Sequence, residues 1–232
     1  EISALTEVGH KNDTLIEVFV QGSHCISFSG ICYISSVLDG KSGNRGRCSQ
    51  PCRDQYLTTP EGKNFPLNLK DNSAYQQLRE LHDTGVDSIK IEGRVKKFHY
   101  VYTVVNFWRE QLDGFYNEDK INKDNSVLYK VFNRDFSSSF LRGTIDKGMY
   151  IDNSRDNSAT HYSTNIPGNA EKSMKTLKKE IYDSRTEIIT NVENRINELS
   201  LSVLDDTKEK IKPVILPYLA RNDKVNSKPT LN

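Results

Sequence analysis

Cysteine sets the chemistry open to this chain. Cys25, Cys32, Cys48 and Cys52 are its only cysteines, and they fall in one short window with the spacing C-x6-C-x15-C-x3-C. Thiols gathered in this way serve a metal, a redox pair or a disulfide staple. The paired C-x2-C knuckles of most structural zinc modules are missing, which makes zinc a second choice. Iron–sulfur clusters accept four cysteine thiolates at more varied spacings. Gly30, Gly40, Gly43 and Gly46 let the backbone pass close to such a group without a Cβ clash. Disulfides suit a small secreted module better than this charge-rich chain, in which no leader segment is read.

Charged residues surround the window. Arg45, Arg47 and Arg53 would lower thiolate pKa values and offset the charge of a thiolate-ligated cluster. They would equally bind nucleic-acid phosphates, and the sequence leaves both roles open. His24 precedes the first cysteine, either supporting the thiols or serving the fold alone. Glu92 and Arg94 sit where the expected strand Val86–Ile91 ends, on the face where parallel α/β barrels place active sites. There Glu92 can take a proton and Arg94 can clamp a carboxylate or phosphate. The alternative is a Glu92–Arg94 pair that only braces the loop. Lys90, Asn133 and Arg134 are further candidates for substrate contact, with turn stabilisation the alternative for the last two. Neither H-E-x-x-H nor G-x-S-x-G occurs. A cysteine protease would pair one thiol with a histidine and leave the other three unexplained.

The elements that must position these groups are legible in outline. Residues 1–10 read as helix and Ile16–Val20 as a short β-branched strand, so Cys25 lies just past a strand end. Tyr33–Leu38 reads as a short helix and Asp54–Asn68, with Pro60, Gly62 and Pro66, as a loop or hairpin. A helix is expected from Asp71 or Ser73 through Leu78 and Leu81 to a stop at Gly85. Val86–Glu92 returns as a strand, and Lys96–Leu112 is an amphipathic helix with Val101, Val104, Val105, Trp108 and Leu112 facing a core. This rhythm predicts βαβ units and a parallel sheet. Val127–Phe132 and Gly143–Tyr150 read as strands of a small β module, residues 151–168 as a surface loop, and Ala170–Leu199 as a long helix. After Lys212, Pro213, Pro217 and Pro229 suggest an extended linker.

At 232 residues and 35% hydrophobic content, with a mean hydropathy of −0.65, the chain is polar but has material for a real core. A net charge of +1 supplies no global basic field that would by itself announce nucleic acid. No apolar run of about 18 residues predicts a membrane span. Clustered free thiols fit a reducing, cytoplasmic location. The sequon at Asn12 is what chance gives in an asparagine-rich chain.

Several stretches together resemble one family. Ser23-His24-Cys25 through Cys32, followed by Gly43-Asn44-Arg45-Gly46-Arg47-Cys48-Ser49-Gln50-Pro51-Cys52-Arg53, resembles the signature of peptidase family U-32, the collagenase-like peptidases. Gly85-Val86-Asp87-Ser88-Ile89-Lys90-Ile91-Glu92-Gly93-Arg94 and Val131-Phe132-Asn133-Arg134-Asp135-Phe136 fit the same family, which usually has Gly where Asp135 stands. The resemblance covers roughly residues 1 to 150. It implies a TIM-type barrel with the cysteines in its second half. Too few βα units precede residue 25 for eight strands, so the expected fold class is α/β, a partial (β/α) barrel comprising its C-terminal half. The expected divisions are 1–125 for that half, 126–168 for the β module and loop, 169–212 for the helical segment and 213–232 for the tail.

The same resemblance implies function. Relatives include hydroxylation factors for transfer or ribosomal RNA and for the ubiquinone ring, and in several of them four cysteines bind a [4Fe–4S] cluster. Cys25, Cys32, Cys48 and Cys52 match those ligand positions one for one. Some members depend on prephenate-derived metabolism, so a prephenate-derived cosubstrate, an oxygen source other than O2 and an electron donor are expected. Long C-terminal extensions mark the ribosomal-RNA type, which favours ribosomal over transfer RNA for a chain that runs on past residue 150. The reading is an iron–sulfur-dependent factor that hydroxylates a pyrimidine base, with the rest of the barrel and a further C-terminal domain as partners. A collagenase-like peptidase and a zinc-stabilised RNA-binding module are the alternatives.

Overall fold

The computed structural model describes residues 1–202, apart from 29–30, 58 and 154–155; the proline-bearing tail lies outside the described residues. Helix α1 (Ile2–Lys11) leads into strand β1 (Glu17–Gly22), built from the β-branched run the sequence marks. After the first cysteine come α2 (Tyr33–Asp39), the short strand β2 (Asp71–Ser73), α3 (Leu78–Asp83) and β3 (Ser88–Ile91). The long helix α4 (Phe98–Glu118) follows, then α5 (Ser126–Tyr129), β4 (Phe136–Ser137), α6 (Ser139–Arg142), α7 (Ser158–Asn165) and α8 (Met174–Ser202).

The strands form one four-stranded sheet in the order β3-β1-β2-β4. β1 runs parallel to β3, and β2 runs parallel to β4. β1 and β2 are antiparallel, with Gln21 opposite Ser73. The sheet is therefore mixed rather than wholly parallel, and it is open, with β3 and β4 at its edges.

The antiparallel strand occupies residues the sequence assigns to a helix start, and the side chains explain why. Asp71, Asn72 and Ser73 turn their polar groups sideways instead of capping a helix. Asn72 Nδ2 donates to Phe19 O at 2.9 Å and Ser73 Oγ to Gln21 Oε1 at 2.8 Å. Asp71 receives Arg134. The helix starts only after the short turn Tyr75–Gln77.

The same principle corrects residues 126–168. In place of a β module there are two one-turn helices, a two-residue strand that joins the main sheet, and α7 where a loop is expected. Asp and Asn side chains start these turns. Asp124 accepts from Ser126 N at 2.9 Å, Asp146 from Gly148 N at 2.7 Å, and Asp156 from Ser158 N at 3.1 Å. Local bonds of this kind compete with a strand ladder and favour turns. Of the two stretches read as strands, Gly143–Tyr150 keeps an isolated bridge from Tyr150 to Leu69.

α4 packs its apolar face on the sheet. Tyr100, Val104, Phe107, Trp108 and Phe115 are buried with Val20, Tyr75, Leu78 and Leu128. Val105, expected on that face, is 45% exposed. Trp108 is buried and donates to Gln21 Oε1 at 3.4 Å; truncating a buried aromatic of this size costs about 3–5 kcal/mol. Buried Gln111 donates to Tyr75 O at 2.7 Å and accepts from Asn122 N at 2.8 Å, fixing the chain's exit from α4. The helix predicted over Ala170–Leu199 begins at Met174 and buries Leu177 against Tyr129 and Tyr162.

Candidate metal and substrate site

Because β1 and β3 are parallel neighbours, with Gln21 opposite Ile91, the loops that follow them leave the same end of the sheet. One carries Cys25 and the other Glu92 and Arg94. Glu92 N donates to Gln21 O at 2.8 Å, and Glu92 Oε2 accepts from Ser23 N at 2.9 Å. This approach needs the glycine at 22: its φ is +128°, and a Cβ there would lie 2.7 Å from Glu92 Cβ. Arg94 Nη1 donates to Asn44 O at 2.8 Å, and its stem lies over Gly46. Glu92 and Arg94 thus hold separate parts of the cysteine window, one before Cys25 and one before Cys48. Glu92 is half-buried and Arg94 exposed.

Arg53 works inward. Its Nη1 donates to Asn68 Oδ1 and to Leu69 O, the latter at 2.6 Å, and its Nη2 donates to His24 O at 2.7 Å. The residue after Cys52 is thereby tied to the residue before Cys25. Burial, with Arg134 nearby, lowers the Arg53 pKa. His24 rests its ring on Phe140 at 4.9 Å, and burial lowers its pKa. Arg134 is buried, with Nη1 donating to Asp71 Oδ1 at 3.0 Å and to Ser23 Oγ at 3.1 Å. Asn133 is buried and donates to Val131 O at 2.9 Å. Arg45 and Arg47 are exposed beside the cysteines. Lys90 lies on the β3 edge, paired with Glu17 at 2.7 Å.

Two of the thiols accept from backbone donors. Cys32 caps α2, its sulfur accepting from Ser35 N at 3.5 Å, and Cys48 accepts from Gln50 N at 3.3 Å. Ser49 Oγ and N both donate to the buried Ser35 Oγ, at 3.0 and 3.1 Å, so α2 and the Cys48 loop move together. Burial raises the Cys52 pKa; Arg53 opposes this, and Cys25 and Cys48 push it further up. Tyr56 is raised by burial and Asp54, then by Cys52 and Cys32. All four sulfurs therefore lie near the Cys52–Tyr56 corner.

Whether this donor set fits a metal group turns on spacing. Among the described residues no three His, Cys, Asp or Glu side chains converge as ligands of a single ion. One zinc ion would draw its sulfurs to about 2.3 Å from itself. A cubic iron–sulfur cluster sets its thiolates outside a larger body. Four thiolate donors suit the chemistry of either group, and here the sulfurs share a corner without closing on a point. A cationic group against them would reverse the mutual opposition to ionisation felt at Cys52.

Lys96 and Asp71 belong to the site and were not legible as such. Asp71 reads as a helix cap, and Lys96 as the first residue of the amphipathic helix. The ammonium of Lys96 lies 3.5 Å from the Phe132 ring centroid. Burial lowers its pKa to about 8, Asp71 and Glu92 oppose the fall, and Arg134 and Arg53 add to it.

An open α/β sheet carrying a braced four-thiol window at its strand ends defines a class that comparison with known proteins makes specific. The chain belongs to peptidase family U32, which it matches over residues 1–150. It is 36% identical over 162 residues to tRNA hydroxylation protein P1 of Bacillus subtilis, covering 62% of this chain and 38% of that protein. It is 35% identical over 153 residues to 23S rRNA 5-hydroxycytidine C2501 synthase of Escherichia coli, covering 62% of this chain and 23% of that protein. A collagenase of Porphyromonas gingivalis is 34% identical over 138 residues, covering 55% of this chain and 38% of that protein. The chain thus spans well under half the length of these relatives. No solved structure matches it.

Proposed function

We propose that the protein hydroxylates a pyrimidine base in RNA and depends on an iron–sulfur cluster held by Cys25, Cys32, Cys48 and Cys52. The observation that carries this reading is the gathering of all four sulfurs at one corner, braced by Glu92 and Arg94, in a chain similar to proteins named for tRNA and rRNA hydroxylation. The cluster, when bound, supplies one-electron redox chemistry. Glu92 presents a carboxylate at the strand ends, where it orients Ser23 and can take a proton from a bound base. Exposed Arg45 and Arg47 meet RNA phosphates. Arg53 and Arg134 act from within, fixing the loop that carries Cys25. Ribosomal RNA is the preferred substrate in this reading, supported by the helical segment that continues past the matched residues. An electron donor, a prephenate-derived cosubstrate, a cytoplasmic setting and a barrel completed by further strands belong to the same proposal. Among the described residues no helix is long and apolar enough to cross a membrane.

The collagenase-like relative favours a peptidase as the second reading. Against it, His10 and His82 pair with Asp87 and Asp83, and the His24 ring packs on Phe140. The test is nucleoside mass spectrometry of rRNA and tRNA, separated, from cells lacking the gene and complemented with wild type, Glu92→Gln or single Cys→Ala variants. Loss of one hydroxypyrimidine in the deletion strain, restored by wild type alone at equal protein level, is expected. Anaerobically purified wild type should be brown and each Cys→Ala variant bleached. Unchanged RNA in the deletion strain refutes the reading in favour of the peptidase, and stoichiometric zinc without iron refutes the cluster.

A further inference from the structure

Lys96 lies in the turn between β3 and α4, where its backbone N–H donates to Gly93 O at 2.9 Å. Its side chain is half-buried and folds over aromatic rings, with the ammonium 3.5 Å from the centroid of Phe132 and 5.6 Å from that of Tyr100. The charged groups facing it are Asp71, Arg134, Glu92 and Arg53. Both carboxylates are engaged elsewhere. Asp71 receives Arg134 through its backbone N at 3.1 Å and Nη1 at 3.0 Å, and Glu92 receives Ser23 N at 2.9 Å. Arg53 spends its N–H groups on neutral oxygens. Arg53 also faces the thiols of Cys52 and Cys25, so of the three cations Lys96, Arg53 and Arg134 it is Lys96 that has no oxygen partner. Among the described residues its ammonium has rings against it but neither a paired carboxylate nor a hydrogen-bond acceptor.

Ring faces attract a cation but leave its N–H donors unmet. Lys96 is half-buried, so those donors are left to solvent, where an incoming anion can displace the water and take them over. An oxygen anion would supply acceptors and a counter-charge at once. We propose that Lys96 anchors a binding site for a small oxyanion, a carboxylate or a phosphate group, at the end of the sheet where the loops after β1 and β3 meet. The site lies beside the cysteine window, and its ligand class follows from the charge cluster, independently of the RNA reading.

The test follows the Lys96 side chain by NMR in full-chain protein with isotope-labelled lysine, its signal assigned by its loss in Lys96→Met. Malonate, inorganic phosphate and chloride are titrated at matched ionic strength. Malonate or phosphate is expected to move the Lys96 signal saturably and raise its titration midpoint, while chloride does not. Lys96→Met keeps the stem on the rings and removes the charge, and it should weaken anion binding about tenfold or more. A response to malonate alone assigns a carboxylate ligand, and a response to phosphate alone a phosphate ester. If a short single-stranded RNA displaces the phosphate, RNA is the source of that group. Absence of a saturable shift beyond chloride overturns the proposal, as does undiminished binding by a folded Lys96→Met. Because no hydroxylation is read, failure of the RNA assay would leave this result standing.

Discussion

Removing the Asp71 carboxylate should be among the most damaging single changes outside the apolar core. Asp71 and Arg134 are an ion pair whose side chains are 4% and 6% exposed. Asp71 accepts from both the backbone and the guanidinium of Arg134, and Arg134 also donates to Ser23 Oγ. Asp71→Ala leaves a guanidinium buried without its counter-charge, a loss that costs about 3–5 kcal/mol. At roughly 2–4 °C per kcal/mol for a chain of this size, the melting temperature should fall by roughly 6–20 °C. Asp71→Asn keeps the shape and one acceptor, so it should cost less, about 1.5–3 kcal/mol, the range for a hydrogen bond to a charged group. The double variant Asp71→Asn/Arg134→Met removes both charges and should cost less than the sum of the two single changes. Urea unfolding followed by circular dichroism, with unchanged m-values, measures all four corners of the cycle. If Asp71→Ala loses less than about 1 kcal/mol, or if the two single costs simply add, the pair is not the brace described here.

Gly22→Ala would place a methyl group 2.7 Å from Glu92 Cβ at a φ of +128°. It should destabilise the protein by more than 2 kcal/mol or so and release Ser23, seen as lost amide protection at that residue; an unchanged melting temperature would refute the close approach. Lys96 gives a pH signature. Folded Lys96 sheds its proton near pH 8, while in the unfolded chain it holds it to about 10.5. Between those values the unfolded state binds more protons, so stability rises with pH. Burial raises Tyr75, Tyr100 and Tyr129, which lose stability as pH climbs beyond the usual tyrosine range, so the comparison belongs below about pH 9.5. Wild type should gain urea resistance from pH 7 to 9.5 relative to Lys96→Met, and parallel curves would refute the half-buried setting of the ammonium.

Where the sequence led and where it did not have separate physical causes. β1, α2 and α4 were legible because each is written in one short-range code, a β-branched run or an apolar stripe, that agrees with its tertiary setting. β2 failed because Asp71, Asn72 and Ser73 carry the letters of a helix cap, and only partners 52 to 63 positions away along the chain decide otherwise. Residues 126–168 failed in the opposite sense. There Asp and Asn side chains bond within two residues and override apolar letters that suggest strands. Asp135 shows how a departure from the family is absorbed. Its φ of +63° is the left-handed backbone for which a glycine is suited. Asp135 pairs with Lys70 at 3.1 Å, and its backbone carbonyl accepts from Asp71 N at 3.0 Å.

The site divides in the same way. The thiols stand out in the sequence because four cysteines in one window form a local signal, and Glu92 and Arg94 because a strand end is also read locally. Their partners were not legible. Pairing them with each other was the simplest alternative, yet the parallel register of β1 and β3 sends Glu92 to Ser23 and Arg94 to Asn44. Arg53 and Arg134 carry the same letter as Arg45 and Arg47, and burial alone separates the two kinds. Half-buried Arg53 and buried Arg134 aim their N–H groups at carbonyl, hydroxyl and carboxylate oxygens of the protein, so they shape the cysteine loop. The exposed pair remain turned to solvent beside the thiols. An Arg45→Gln/Arg47→Gln variant should therefore weaken RNA binding with a shallower salt dependence and leave stability within about 0.5 kcal/mol. Arg53→Gln should do the reverse, lowering stability while leaving the salt slope of the folded fraction intact. Filter binding across a salt series, read beside urea unfolding, separates the two, and equal effects from both variants would refute the division.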